Sequence, residues 1–194
     1  MATRNIIASG NWSAAGAWDT PPTTGDAVVI GLDGNGNGYT LTYDQAAGDV
    51  SVISVSIASA AAGKTSAKLT TDTAAGSATL SITSTAGIFG TAGAVKGRLE
   101  MGTAAVPLPY AAKRTIALGS SGTISAANLD VALVGTEPAN PFVLLTANAG
   151  YGATVLSVDR DVTGDLWAVG DVVAICDINQ ANEYQRTTLS LIHI

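Results

Sequence analysis

The chain has 194 residues, 47% of them hydrophobic and only 12% charged, with nine Lys and Arg against fifteen Asp and Glu for a net charge of -6. That length supports one sizeable core without staples, and a single cysteine, Cys176, excludes an intramolecular disulfide. Nucleic acid is excluded as a partner, because phosphate binding needs gathered basic residues and the densest basic point is the pair Lys113-Arg114.

Apolar residues recur at i, i+2, i+4, the period of a strand, and the segments are rich in Val, Ile, Leu, Thr and Tyr. In chain order the pattern predicts strands over 28–30, 39–43, 50–57, 67–71, 78–83, 98–101, 115–118, 129–134, 142–146, 154–158 and 172–176. Regularly spaced short strands fit a sandwich or a solenoid. The connections are mostly corners of Gly, Ala, Ser and Thr rather than two-residue hairpin turns, which favours stacked coils. Residues 1–48 are read as an N-terminal capping segment of short strands, and 49–188 as coil rungs in one domain with it. Residues 58–76, the lowest in complexity, are expected as an exposed loop, an irregular rung or a flexible connector. Cys176 closes the apolar run Val172-Val173-Ala174-Ile175-Cys176 and is expected as a small core residue.

The N-terminus has no apolar h-region and no apolar run approaches transmembrane length, so neither a secretory signal nor membrane insertion is expected. The last six residues, Leu189-Ser190-Leu191-Ile192-His193-Ile194, read as a translation of CTGTCTCTTATACACATC, which resembles a transposon-end adapter used in preparing sequencing libraries. We treat 189–194 as such a scar, a chance hexapeptide being the alternative. On that reading the native chain continues beyond Thr188, and His193, the only histidine, marks no site.

Four segments resemble, in order, the extracellular domain named for its eight glycines, the G-eight domain. They begin with Gly10-Asn11-Trp12-Ser13, Trp18 and Pro22. Gly25-Asp26-Ala27-Val28-Val29-Ile30 and Tyr39-Thr40-Leu41-Thr42-Tyr43-Asp44 follow. Next comes Gly97-Arg98-Leu99-Glu100-Met101-Gly102-Thr103, with Pro107 or Pro109 and Thr115-Ile116-Ala117-Leu118. Last are Gly152-Ala153-Thr154 to Val158 and Trp167-Ala168-Val169-Gly170-Asp171-Val172-Val173-Ala174-Ile175 with Glu183. The resemblance implies an all-β fold, a right-handed parallel β-helix (solenoid) with short N-terminal capping strands. Pro138 and Pro141 flank a stretch that departs from the family pattern. An opening Met-Ala-Thr-Arg before Gly-Asn-Trp-Ser looks more like tailed-phage structural proteins than like a secreted animal protein.

Gly25 and Gly170 are expected at positive φ, with Asp26 and Asp171 accepting backbone N–H bonds that close the turn into a strand. Trp12 and Trp18 sit in a Gly/Ala/Ser-rich loop and are read as core plugs or, alternatively, as glycan-stacking rings. Asp33, Asn35, Asn37 and Asp44 fall at positions one, three, five and twelve of a calcium-loop template, with Gly38 at six. The alternatives there are a calcium site and a Gly/Asn-rich turn. Asp159, Asp161 and Asp165 form a second carboxylate group, read as solvated, and Asn11-Trp12-Ser13 is formally a glycosylation acceptor.

No catalytic constellation is legible, so the chain is expected not to be an enzyme. No cofactor is expected beyond calcium at the Asp33 loop. The expected function is a structural β-helical virion protein, a phage tail, fibre or spike component assembled in the host cytoplasm. Its expected partners are other virion or tail subunits, in a homotrimer, and a cell-surface glycan. The alternative is the non-catalytic leading module of an extracellular or cell-surface protein that binds glycan or processes polysaccharide.

Overall fold

The computed structural model describes residues 2–136, 142–147, 155–162, 172–176 and 184–188. It divides into two units, Met1–Thr136 and Glu137–Ile194. Among the described residues there is no α-helix, only two single-turn 3-10 segments at Ala15–Ala17 and Gln45–Ala47.

The first unit holds eleven strands: β1 (Thr3–Asn5), β2 (Gly10–Asn11), β3 (Ala27–Ile30), β4 (Thr40–Tyr43), β5 (Val50–Ile57), β6 (Lys68–Thr71), β7 (Gly76–Gly90), β8 (Gly97–Met101), β9 (Ala112–Leu118), β10 (Ile124–Ser125) and β11 (Leu129–Leu133). They form two sheets. One runs β1-β3-β5-β7-β10, with β9 also on β7, and the other β11-β8-β6-β4-β2. Every strand pair in both sheets is parallel. Up to β8, successive strands alternate between the sheets, so sequence neighbours do not pair.

The register explains why the alternating sequence settles this way. Leu41 pairs with Leu69 and Leu69 with Leu99, and all three are buried. In the other sheet Val28 lies beside Val55 and Val55 beside Ile88, and Ile30 beside Ile57. Like residues thus stack into columns facing the core, each fully buried Leu, Ile or Val contributing roughly 1.5–3 kcal/mol. A one-residue slip would turn every such column outward. The alternation itself slips once within β5, from Val52 to Val55, where the β5–β7 register shifts between Val52 and Ser54.

The second unit contains β12 (Val172–Cys176) and β13 (Tyr184–Thr188), which pair antiparallel, Val172 with Thr188 and Cys176 with Tyr184. Where the alternation predicts strands over 142–146 and 154–158, the described residues hold only an isolated antiparallel bridge, Leu145 to Val158. Thr154, Pro138, Pro141, Gly152, Ala153, Asp165, Trp167, Gly170, Asp171, Glu183 and residues 189–194 lie outside the described residues. Residues 58–76 include β6, and Ala60 bridges Val95, with Ala60 and Ala67 buried.

Candidate functional site

Sequence-predicted side chains concentrate where the chain begins. Residues 17–19 fold back antiparallel on the free edge of β1: Ile6 bridges Trp18, the Ile7 amide donates to the Ala17 carbonyl and the Asp19 amide to the Asn5 carbonyl. The edge that β1 does not share with β3 is therefore covered.

Three carboxylates hold this arrangement. Asp26 is 4% exposed. Its Oδ1 accepts from the Ala2 amide at 3.0 Å, and its Oδ2 from Arg4 Nε at 2.7 Å and from the amide and hydroxyl of Thr23 at 3.1 and 2.9 Å. The Arg4 hydrogen bond, followed by the Thr23 and Ala2 amides, holds its carboxyl well below the usual carboxylate range. Gly25, at φ +87°, makes the turn that delivers Asp26 to these donors. Asp19 accepts from the side chain and amide of Asn5 at 2.8 and 3.1 Å, and these bonds lower its carboxyl too, the side-chain bond most. Asp44 accepts from the Ser13 amide at 3.1 Å and the Ser13 hydroxyl at 2.6 Å.

Trp12 and Trp18, read from sequence as core plugs or glycan platforms, are 5% and 3% exposed. Their ring centroids lie 5.2 Å apart, edge to face at 70°, and Trp12 meets Tyr43 at 5.4 Å and 87°. Trp18 Nε1 donates to the Trp12 carbonyl at 3.0 Å, which satisfies the indole inside the core. A sugar stacks on an exposed ring face, whereas both of these rings are buried. Beside them, burial pushes the Tyr43 hydroxyl up to about 12 while it donates to the Gly48 carbonyl at 2.6 Å.

The calcium-template residues are not brought together. Asp33 Oδ1 accepts from the amides of Asn35 and Asn37 at 2.8 and 2.9 Å, a side-chain-closed turn. Asn37 Oδ1 reaches the amide and hydroxyl of Thr65, both at 3.4 Å. Asp44 lies beyond β4, whose extended backbone at ~3.3 Å per residue carries it roughly 20 Å from Asn37. A calcium loop must curl its twelfth position back onto the first; a strand cannot. Among the described residues no three His, Cys, Asp or Glu side chains gather closely enough to hold a metal ion.

Other buried charges escaped the sequence reading. Arg114, whose side chain is fully buried, pairs with Asp72 and donates to the carbonyls of Gly76 at 2.9 Å and Ala74 at 2.8 Å. Glu100, 4% exposed, pairs with Arg98 and lies 3.7 Å from Lys68. Asp72 lies 42 residues from Arg114 in sequence, so no local pattern announces that pair. In the second unit Asp159 pairs with Arg160 at 3.3 Å and accepts from the Leu144 amide. A shallow depression of about 380 Å³, lined by Ser81, Ile82, Thr83, Ala117, Leu118 and Gly119, presents no charged side chain. Polar groups at the start of the chain bond one another and its own backbone.

No family model, curated protein or solved structure matches the chain. Among the described residues no helix is long and apolar enough to cross a membrane.

Proposed function

We propose that the chain is a structural, surface-presenting module: a right-handed parallel β-helix built into a virion as a tail, fibre or spike component, without catalytic activity of its own. The observation that carries this reading is the strand order. Strands alternate between two sheets and pair in parallel with the strand two places earlier up to β8, and Leu41, Leu69 and Leu99 recur in register. A chain winding repeatedly through two sheets produces that order, and parallel crossovers are right-handed in about 98% of cases.

Such stacking suits a rigid scaffold, because each coil is held by its neighbours along the axis. The spent carboxylates and the uncharged depression support a non-enzymatic role. The virion assignment rests on the resemblance of the N-terminal segment to tailed-phage structural proteins. Sequencing the DNA on either side of the gene tests it, together with antibody labelling of particles from the same source. Adjacent capsid or tail genes and labelled particles are expected. Polysaccharide-utilisation genes with unlabelled particles would overturn the assignment in favour of a glycan-directed extracellular module.

A further inference from the structure

We propose that Asn35 is a modification site: its side chain reacts with the backbone nitrogen of Gly36, loses ammonia, and leaves a mixture of aspartate and isoaspartate. The sequence holds two Asn-Gly dipeptides, Asn35-Gly36 and Asn37-Gly38, side by side in the turn that follows Asp33. A following glycine favours this reaction, because no Cβ crowds the approach of its nitrogen to the neighbouring side chain. Sequence offers both asparagines equally, and the hydrogen bonds of the turn separate them.

The turn is closed at its base, where Leu32 bridges Gly38 and the Asp33 amide donates to the Asn37 carbonyl at 2.7 Å. There Asn37 is tied to the following rung. Its Oδ1 accepts from the amide and hydroxyl of Thr65, and the Gly38 amide donates to the Thr65 carbonyl at 2.7 Å. A Cβ on Gly38 would collide with the Ser66 carbonyl and the Ala67 amide, so the backbone has no room to swing. At the tip the Asn35 side chain takes part in no hydrogen bond among the described residues. Gly36 stands at φ +78° and its amide makes one local bond, to the Asp33 carbonyl at 3.0 Å. A Cβ on Gly34 or Gly36 would meet nothing within 4 Å. Asn35 therefore reaches the Gly36 nitrogen by breaking one turn hydrogen bond, whereas Asn37 must first leave Thr65. Asp33 has no amide to lose, and its Oδ1 is held by the amides of Asn35 and Asn37.

The step needs only water. The deprotonated Gly36 nitrogen attacks Asn35 Cγ, the new Cγ–N bond closes a succinimide ring and the Cγ–Nδ2 bond breaks. The proton given up by Gly36 ends, by way of solvent, on the leaving nitrogen as ammonia. Water then opens the ring at either carbonyl, giving aspartate or, with the chain rerouted through Cβ and Cγ, isoaspartate. The second product lengthens the backbone by one methylene, for which the space around Gly34 and Gly36 provides. Either product adds one negative charge to the net -6 of the parent chain.

The test is peptide mapping of the full chain held at neutral and at mildly alkaline pH, with fragmentation that distinguishes isoaspartate from aspartate. In the folded chain Asn35 should convert, while Asn37 should lag by roughly tenfold or more because its hydrogen bonds must open first. Conversion at Asn35 should quicken as pH rises, since the attacking nitrogen must lose its proton. In strong urea, where Thr65 no longer holds Asn37, the two rates should converge. Asn35→Ser should remove the more acidic species seen on ion exchange. Equal rates in the folded chain, faster conversion at Asn37, a folded Asn35 that stays intact while both residues react in urea, or a preference that survives unfolding would each overturn the proposal.

Discussion

The two ends of the first unit are built on opposite principles. At the start, carboxylates and tryptophans close the core: Asp19, Asp26 and Asp44 each take backbone amides, and Trp12 and Trp18 fill the space above Tyr43. At the far end the same columns reach the more exposed Leu118, Ile124 and Val131. Burial in this architecture is supplied by the next strand, so a terminal strand needs either polar closure or a partner. The second unit differs again, since its described strands β12 and β13 pair antiparallel.

The largest expected effect lies where the far end is joined on. Gly87 has φ +69°, and a Cβ there would stand 1.8 Å from the Thr123 carbonyl oxygen. Gly87→Val should cost about 4 kcal/mol or more in urea unfolding; a loss under about 1 kcal/mol would mean the Thr123 corner is not held against β7. At the closed end, Trp18→Ala should cost about 3–5 kcal/mol, read by the same method. A negligible change would deny the tryptophans their closing role.

A paired substitution sharpens the contrast within a single column. Leu69→Ala should cost about 2–5 kcal/mol, and Val131→Ala, at a position 44% exposed, under about 1 kcal/mol. Equal losses would place Val131 in a covered core.

Smaller still is the pH effect of Asp26. Its folded carboxyl titrates below the ordinary 3.8, so the stability it contributes is fully present above that value and is lost as pH falls towards the folded value. Wild type should therefore lose stability on acidification below about pH 4 more steeply than Asp26→Asn, as followed by thermal melts from pH 6 to pH 2. Parallel curves would separate Asp26 from the acid response. No effect is expected from calcium: melting midpoints with calcium and with chelator should coincide, and a rise with calcium would reinstate a site at the Asp33 turn.

Much of the strand content was legible because alternation reports directly on which face is buried. The segments 50–57 and 172–176 coincide with β5 and β12. The two-residue strands β2 and β10 are too short to show a period, and β1 and β13 are polar enough to read as loop. β7 runs to Gly90, past the predicted end at residue 83, because the β5–β7 register shift lets it continue beside Ser54–Ile57. Gly25 and Asp26 were readable because a turn needs both a positive φ and an amide acceptor within a few residues. At Asp33, Asn35, Asn37 and Asp44 the spacing alone does not say whether the intervening chain curls or extends.

The sequence by itself determined that this protein is all-β, that small residues turn its corners and that Gly25-Asp26 opens a strand, since each follows from local alternation or a local dihedral demand. Only the tertiary structure decided that Trp12 and Trp18 are buried, that Arg114 finds Asp72 and that Val131 is more exposed than Leu99. Those outcomes depend on which segment stacks on which, and stacking between strands about 30 residues apart is set by the sum of many weak contacts, not by any motif.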